Sequence, residues 1–132
     1  IHIDPEKREI MRYAVPCTEN SGKGSRISEH FGAAEYFCIF DITTANGDLT
    51  DIRFLENPFA ALERRKGLKA AELLVAKRID KLVTRESIAK KSVFYVLDDA
   101  YIDSEETDLD TVGEVIEKVI GELNLCSRPQ SG

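Results

Sequence analysis

Residues 36–40, Tyr-Phe-Cys-Ile-Phe, are apolar at every position instead of at every second one, which suits a central strand packed on both sides. Asp48 to Leu55 alternates instead, with Ile52 and Phe54 on one face, and Asn46-Gly47 between the two stretches is a hairpin signal. These two strands therefore pair antiparallel. Upstream, Met11-Arg-Tyr-Ala-Val-Pro16 reads as a first strand that stops where proline cannot continue the ladder. Downstream, Leu68, Ala71, Leu74 and Val75 recur at helical spacing and predict a helix from Leu68 to Lys77, with a start as early as Phe59 compatible with the pattern. Ile79 to Val83 follows as a fourth strand, Ser87 to Lys91 as a helical turn, and Val93 to Leu97 as a fifth strand. The last helix carries Val112, Val115, Ile116, Val119, Ile120 and Leu123 on one stripe, with Thr107 and Asp110 as its expected capping box.

A meander followed by crossover units makes an α/β fold, one mixed five-stranded sheet flanked by helices. The order expected is 3-2-1-4-5 with strand one parallel to strand four, the ribonuclease H-like topology. The carboxyl ends of strands one and four then lie side by side at a topological switch, where α/β sheets bind ligands. The loops at 17–35 and 84–92 meet there, and the first is long enough to be a functional suspect.

At 132 residues the chain is long enough for one compact core. Eighteen basic against 24 acidic residues give a net charge of −6, which offers no footprint for nucleic acid or an anionic lipid surface. The longest apolar runs are too short to insert in a bilayer. Cys17, Cys38 and Cys126 are too widely spaced for a disulfide framework or a paired-cysteine zinc site, and imply a reducing, cytoplasmic setting. The chain opens at Ile1 and turns charged at Pro5 to Glu9, so residues 1–9 are expected to be the end of a preceding domain plus linker. Residues 10–125 are then the domain and 126–132 a tail, with His2 outside the domain and Cys126 exposed in the tail.

A ribonuclease H-like nuclease needs a carboxylate within strand one to hold metal, and Met11 to Pro16 has none. No Ser/His/Asp or Cys/His/Asn catalytic order can be defended in this sequence. Of the two histidines, His30 ends the suspect loop and Cys17 begins it, and together they are candidate metal ligands. The bland alternative makes His30 a local cap and Cys17 a small buried residue. Cys38 belongs to the core of strand two. Ser21, Ser25, Ser28 and Gly22-Lys-Gly24 offer hydroxyls and N–H groups to an anion, without the spacing of a phosphate-binding loop. Arg85 and Glu86, just past strand four, are expected to face the same crevice, where Arg85 orients an anion or forms a surface ion pair.

The stretches Met11 to Pro16, Ile27-Ser-Glu-His-Phe-Gly32, Tyr36 to Asp41, Glu56-Asn-Pro58 and Gly67-Leu-Lys-Ala-Ala-Glu-Leu-Leu74 resemble the dinitrogenase iron-molybdenum cofactor biosynthesis family, the NifX and NifB C-terminal type. The resemblance covers roughly residues 11 to 122, with Ser-Glu-His-Phe-Gly the most specific motif. It implies a ribonuclease H-like fold and a non-enzymatic role in binding an iron-sulfur or iron-molybdenum cluster, its precursor, or a divalent metal ion. Ser28, His30 and Gly32 match the motif. Many members have a histidine after Asn-Pro where this chain reads Phe59 to Lys66, and a glycine-rich loop after strand four where it reads Thr84-Arg-Glu-Ser-Ile88.

Ile1-His-Ile-Asp-Pro5 is similar to the last strand of the cytoplasmic domain of cation diffusion facilitators. That resemblance implies an accessory or regulatory domain of a cation efflux transporter, with the membrane domain of the same chain as partner. A free-standing cofactor carrier and a structural dimerisation module with a vestigial crevice are the alternatives, the last with a homodimer as its partner.

Overall fold

The structure, a computed structural model, describes residues 10–44, 47–88 and 91–127, with side chains in the final stretch as far as Glu122. The stub at 1–9 with His2, residue Asn46 of the hairpin turn, the side chain of Cys126 and the tail from 128 lie outside the described residues.

The strands are β1 (Ile10–Cys17), β2 (Tyr36–Thr43), β3 (Leu49–Glu56), β4 (Lys81–Thr84) and β5 (Asp103–Glu106). The helices are α1 (Lys66–Ala76), α2 (Ser92–Asp99) and α3 (Val112–Ser127). The sheet order is β3-β2-β1-β4-β5, as the sequence predicts. β1–β2 and β2–β3 are antiparallel, while β1–β4 and β4–β5 are parallel.

Strand alternation divides the core in two. Ala14, Phe37, Ile39 and Leu82 face α1 and α2. Tyr13, Val15, Cys17, Cys38, Phe40 and Val83 face α3. β2 is apolar from Tyr36 to Phe40 because this stretch feeds both cores, and Tyr13 stacks on Phe40 with ring centroids 5.0 Å apart. At the far end of the α1/α2 layer, Arg12 pairs with the buried Asp41 at 3.0 Å and donates to the Lys77 carbonyl beyond the C-terminus of α1.

Four expectations need correction. β1 runs through Pro16 to Cys17, because its ladder with β4 registers only Tyr13 and Ala14, while Pro16 contributes a carbonyl that accepts the Ser28 N–H. β4 begins at Lys81, not Ile79, because Ile79 closes α1: its N–H reaches the Leu74 carbonyl and the Arg78 N–H reaches Val75, with Arg78 at φ 59°.

The expected fifth strand at Val93 to Leu97 is instead helix α2; of the helical turn expected at Ser87 to Lys91, residues 89–90 lie outside the described residues and the others belong to no helix. Val93 and Leu97, four apart, bury one helical stripe; a five-residue apolar run fits either period. The true β5 is Asp-Ser-Glu-Glu at the sheet edge, where main-chain pairing to β4 suffices and Glu105 meets Lys81 at 2.7 Å and Lys118 at 3.5 Å. Finally, the capping box of α3 is Thr111 with Glu114: Glu114 accepts the Thr111 N–H at 3.1 Å and Thr111 Oγ1 accepts the Glu114 N–H at 3.3 Å. Thr107 instead accepts the Leu109 N–H with its hydroxyl.

Candidate functional site

The long β1–β2 segment is divided between the two layers. Its first half is stitched to α3: Thr18 N–H reaches the Arg26 carbonyl, Ile27 N–H reaches Asp110, and Val112 N–H reaches Ser25. Its second half, residues 30–34, turns to the other layer, where the Phe31 ring packs on Phe37 at 5.4 Å.

Three polar side chains from three places hold this turn. Ser28 Oγ accepts the His30 N–H at 3.2 Å and donates to the His30 carbonyl at 2.8 Å. Asn57, buried after β3, donates to the carbonyls of Gly32 and Ala34 at 3.1 and 2.8 Å. Glu86, after β4, accepts the Phe31 N–H at 2.6 Å. The backbone of residues 30–34 is therefore fixed while the imidazole of His30 stays exposed.

Helix α1 begins directly against this turn. A Cβ on Gly32 would stand 2.7 Å from the Gly67 nitrogen, so only glycine admits the contact. A Cβ on Gly67 would in turn meet the Val93 side chain at 3.0 Å, which brings the first turn of α2 alongside. Both helix starts thus converge on a cavity of about 360 Å³ at the carboxyl ends of β1 and β4, with His30 on its wall. That volume is at the lower end of the roughly 300–1,000 Å³ typical of small-molecule sites.

The cavity is electropositive by construction. Among the described residues, Lys66 and Lys91 line it beside the His30 imidazole, against one carboxylate, Glu86. The starts of α1 and α2 contribute Lys66, Gly67, Lys91 and Val93 to its lining, and neither helix has a side-chain cap from its N-cap residue, so the positive end of each dipole borders the site. Burial works against the charge of Glu86, but the Lys91 ammonium and the Phe31 N–H outweigh it and hold the carboxyl below its ordinary 4.5.

The predicted site residues separate in space. His30 and Gly32 line the cavity, and Ser28 lies beneath, committed to the His30 backbone. Cys17 is fully buried in the α3 layer, among Ile27, Cys38 and Val112. Burial pushes its thiol, and that of Cys38, up to about 12, so neither supplies a thiolate at neutral pH. The expected Cys17–His30 pair does not form, because the sheet lies between the layers they face.

Arg85 does not share the crevice with Glu86. Its guanidinium donates to the Asp108 and Leu109 carbonyls and to Asp110, and its Nε lies 3.1 Å from a Glu29 carboxylate oxygen without the angle of a hydrogen bond. It clamps the β5–α3 connection instead. Among the described residues no three His, Cys, Asp or Glu side chains converge as a metal-ion site. The sequence reading missed Lys66, Gly67, Lys91 and Asn57; a glycine in the first turn of a helix was the one available sign of close packing.

Fold and site together define an α/β domain with a lysine-lined cavity at its topological switch. The chain matches the Nitro_FeMo-Co family, described as dinitrogenase iron-molybdenum cofactor, over residues 11–122, and it belongs to that family. Among solved structures it resembles the apo orange protein from Desulfovibrio gigas, at 20% identity and a TM-score of 0.70, covering 86% of this chain and 89% of that one. It also resembles an NMR structure of a candidate NifB protein from Thermotoga, at 22% identity and a TM-score of 0.63, covering 92% of this chain and 99% of that one. At these identities the likeness shows a shared fold. No curated protein matches the chain.

Proposed function

We propose that the domain is a non-enzymatic carrier that holds a preassembled, anionic metal–sulfur cluster or its precursor in the cavity, with His30 as the protein ligand. The carrying observation is the donor set: one exposed imidazole among two lysines and two uncapped helix starts. A bare divalent ion needs about three or four protein donors. A cluster brings its own sulfide ligands and needs from the protein one anchoring donor plus compensation for its negative charge, which Lys66, Lys91 and the helix dipoles provide. The family and the fold shared with the orange protein support this reading.

The chain's own contribution is positional. Ser28, Asn57 and Glu86 fix the backbone around His30, so ligand binding costs little loop ordering. We place its action in the cytoplasm, and the further context of a cation efflux protein rests on Ile1 to Pro5, which the full-length gene tests directly.

Anaerobic titration with Fe(II), Zn(II) and a reconstituted iron-sulfur cluster tests the donor-set argument. Cluster binding that is lost in His30→Ala, with only weak binding of either free ion, is the expected result. Tight stoichiometric binding of a free ion, or cluster binding indifferent to His30→Ala, would overturn it.

A further inference from the structure

The one carboxylate in the cavity is placed where an anionic ligand would bind. Glu86 is oriented by its own N–H on Thr84 Oγ1 at 3.1 Å. One of its oxygens accepts the Phe31 N–H, and the other takes the Lys91 ammonium. Lys91 is the N-cap residue of α2, and its side chain is about half exposed. Glu86 therefore occupies a backbone donor beside His30 and one of the two lysines of the cavity, the groups an incoming anion would use.

We infer that Glu86 is a built-in counter-anion that competes with cargo for Lys91 and the Phe31 N–H, and so sets how readily the cavity releases an anionic cluster. The inference rests on the carrier reading and specifies its charge logic. A cavity with Lys66, Lys91, His30 and two helix starts but no carboxylate would hold an anion tightly. Glu86 lowers that affinity, and because it re-forms its two contacts when the anion leaves, the emptied cavity keeps its shape. Glu86 acts here on affinity and dissociation.

Tetrathiomolybdate, a small anionic metal sulfide, is the probe, titrated anaerobically into wild type, Glu86→Gln, Lys91→Gln, the double variant and His30→Ala. Glutamine keeps an oxygen for the Phe31 N–H while removing the charge. Glu86→Gln is expected to bind about tenfold tighter, the effect of removing one like charge from a partly buried site. The penalty for Lys91→Gln is expected to be at least about threefold larger in the Glu86→Gln background, where Lys91 contacts the anion directly. In the wild type, the Phe31 amide resonance is expected to shift on binding, a readout that needs no variant. If wild-type binding depends on His30 but Glu86→Gln gains nothing, the two Lys91→Gln penalties are equal, or the Phe31 amide does not move, the counter-anion role is overturned and the carrier reading stands. If none of the proteins binds the probe, both fall.

Discussion

Cys17 and His30 bracket one stretch of chain, yet they meet opposite chemistry: Cys17 is sealed among apolar side chains under α3, while His30 stands exposed over a cavity walled by the starts of α1 and α2. The α3 layer is closed by one long amphipathic helix and has no opening at either thiol. The α1/α2 layer is built from two shorter helices whose first turns converge, and the gap left at their starts is the site. Polar residues follow the same division. Ser28, Asn57 and Glu86 serve the cavity, whereas the α3 layer buries its cysteines without charge. Position along a loop thus says little about chemical proximity when a sheet separates its ends.

The largest effect should come from breaking the sealed layer alone. Ile116→Ala removes a fully buried side chain and is expected to cost about 2–5 kcal/mol in urea unfolding while leaving ligand affinity within about twofold. A matching loss of affinity would show that the layers are not separate. Gly32→Ala attacks the other layer: with a Cβ 2.7 Å from the Gly67 nitrogen, the start of α1 must shift, at an expected cost of about 1–3 kcal/mol. Here affinity should fall with stability, and an unaltered cavity ligand would refute the contact.

The thiols sharpen the contrast through pH. Folded Cys17 and Cys38 stay protonated to about 12, while in the unfolded chain they ionise around the ordinary 9.0. Above that lower value the unfolded state binds fewer protons, so stability is expected to fall as pH rises from 9 towards 12. A thiol reagent at pH 8 should label the two only at the rate of unfolding; fast labelling of the native protein would contradict the sealed layer. On the acid side, Glu86 has a lowered carboxyl, so its contribution is present above its ordinary 4.5 and is lost as pH falls through the lower folded value.

Smaller effects concern helix ends. Thr111→Ala removes the N-cap of α3 and should cost about 1 kcal/mol by thermal unfolding. Tyr101 ends α2 at φ 62° and Arg78 ends α1 at φ 59°, positions where glycine is the ordinary choice. Replacing either by glycine is expected to be neutral or to stabilise by up to about 1 kcal/mol; a clear loss would reveal a contact made by the side chain.

The sheet order was legible because its decisive signals are local: a two-faced β2, an Asn-Gly turn, and helices spaced for crossovers. β5 was not, since an edge strand needs no apolar pattern and Asp-Ser-Glu-Glu reads as a solvated turn. α2 was mistaken for a strand because its apolar run is short and its stop signal is a tyrosine in place of glycine. At the site, the Ser-Glu-His-Phe-Gly motif was readable as a segment. The parity of β1 already groups Cys17 with Val15 and Tyr13, and following it would have removed Cys17 as a partner for His30. Glu86 was placed at the crevice by its position just past β4, but the arrival of Lys66 and Lys91 beside it had no sequence signature, because it depends on where two helices begin.

The most direct test is anaerobic loading with tetrathiomolybdate followed by gel filtration, comparing wild type, His30→Ala and Cys17→Ala for metal retained with the protein. The account predicts that wild type and Cys17→Ala retain the metal and that His30→Ala loses it. Retention lost in Cys17→Ala but kept in His30→Ala would contradict it, because the ligand would then belong to the layer the structure closes.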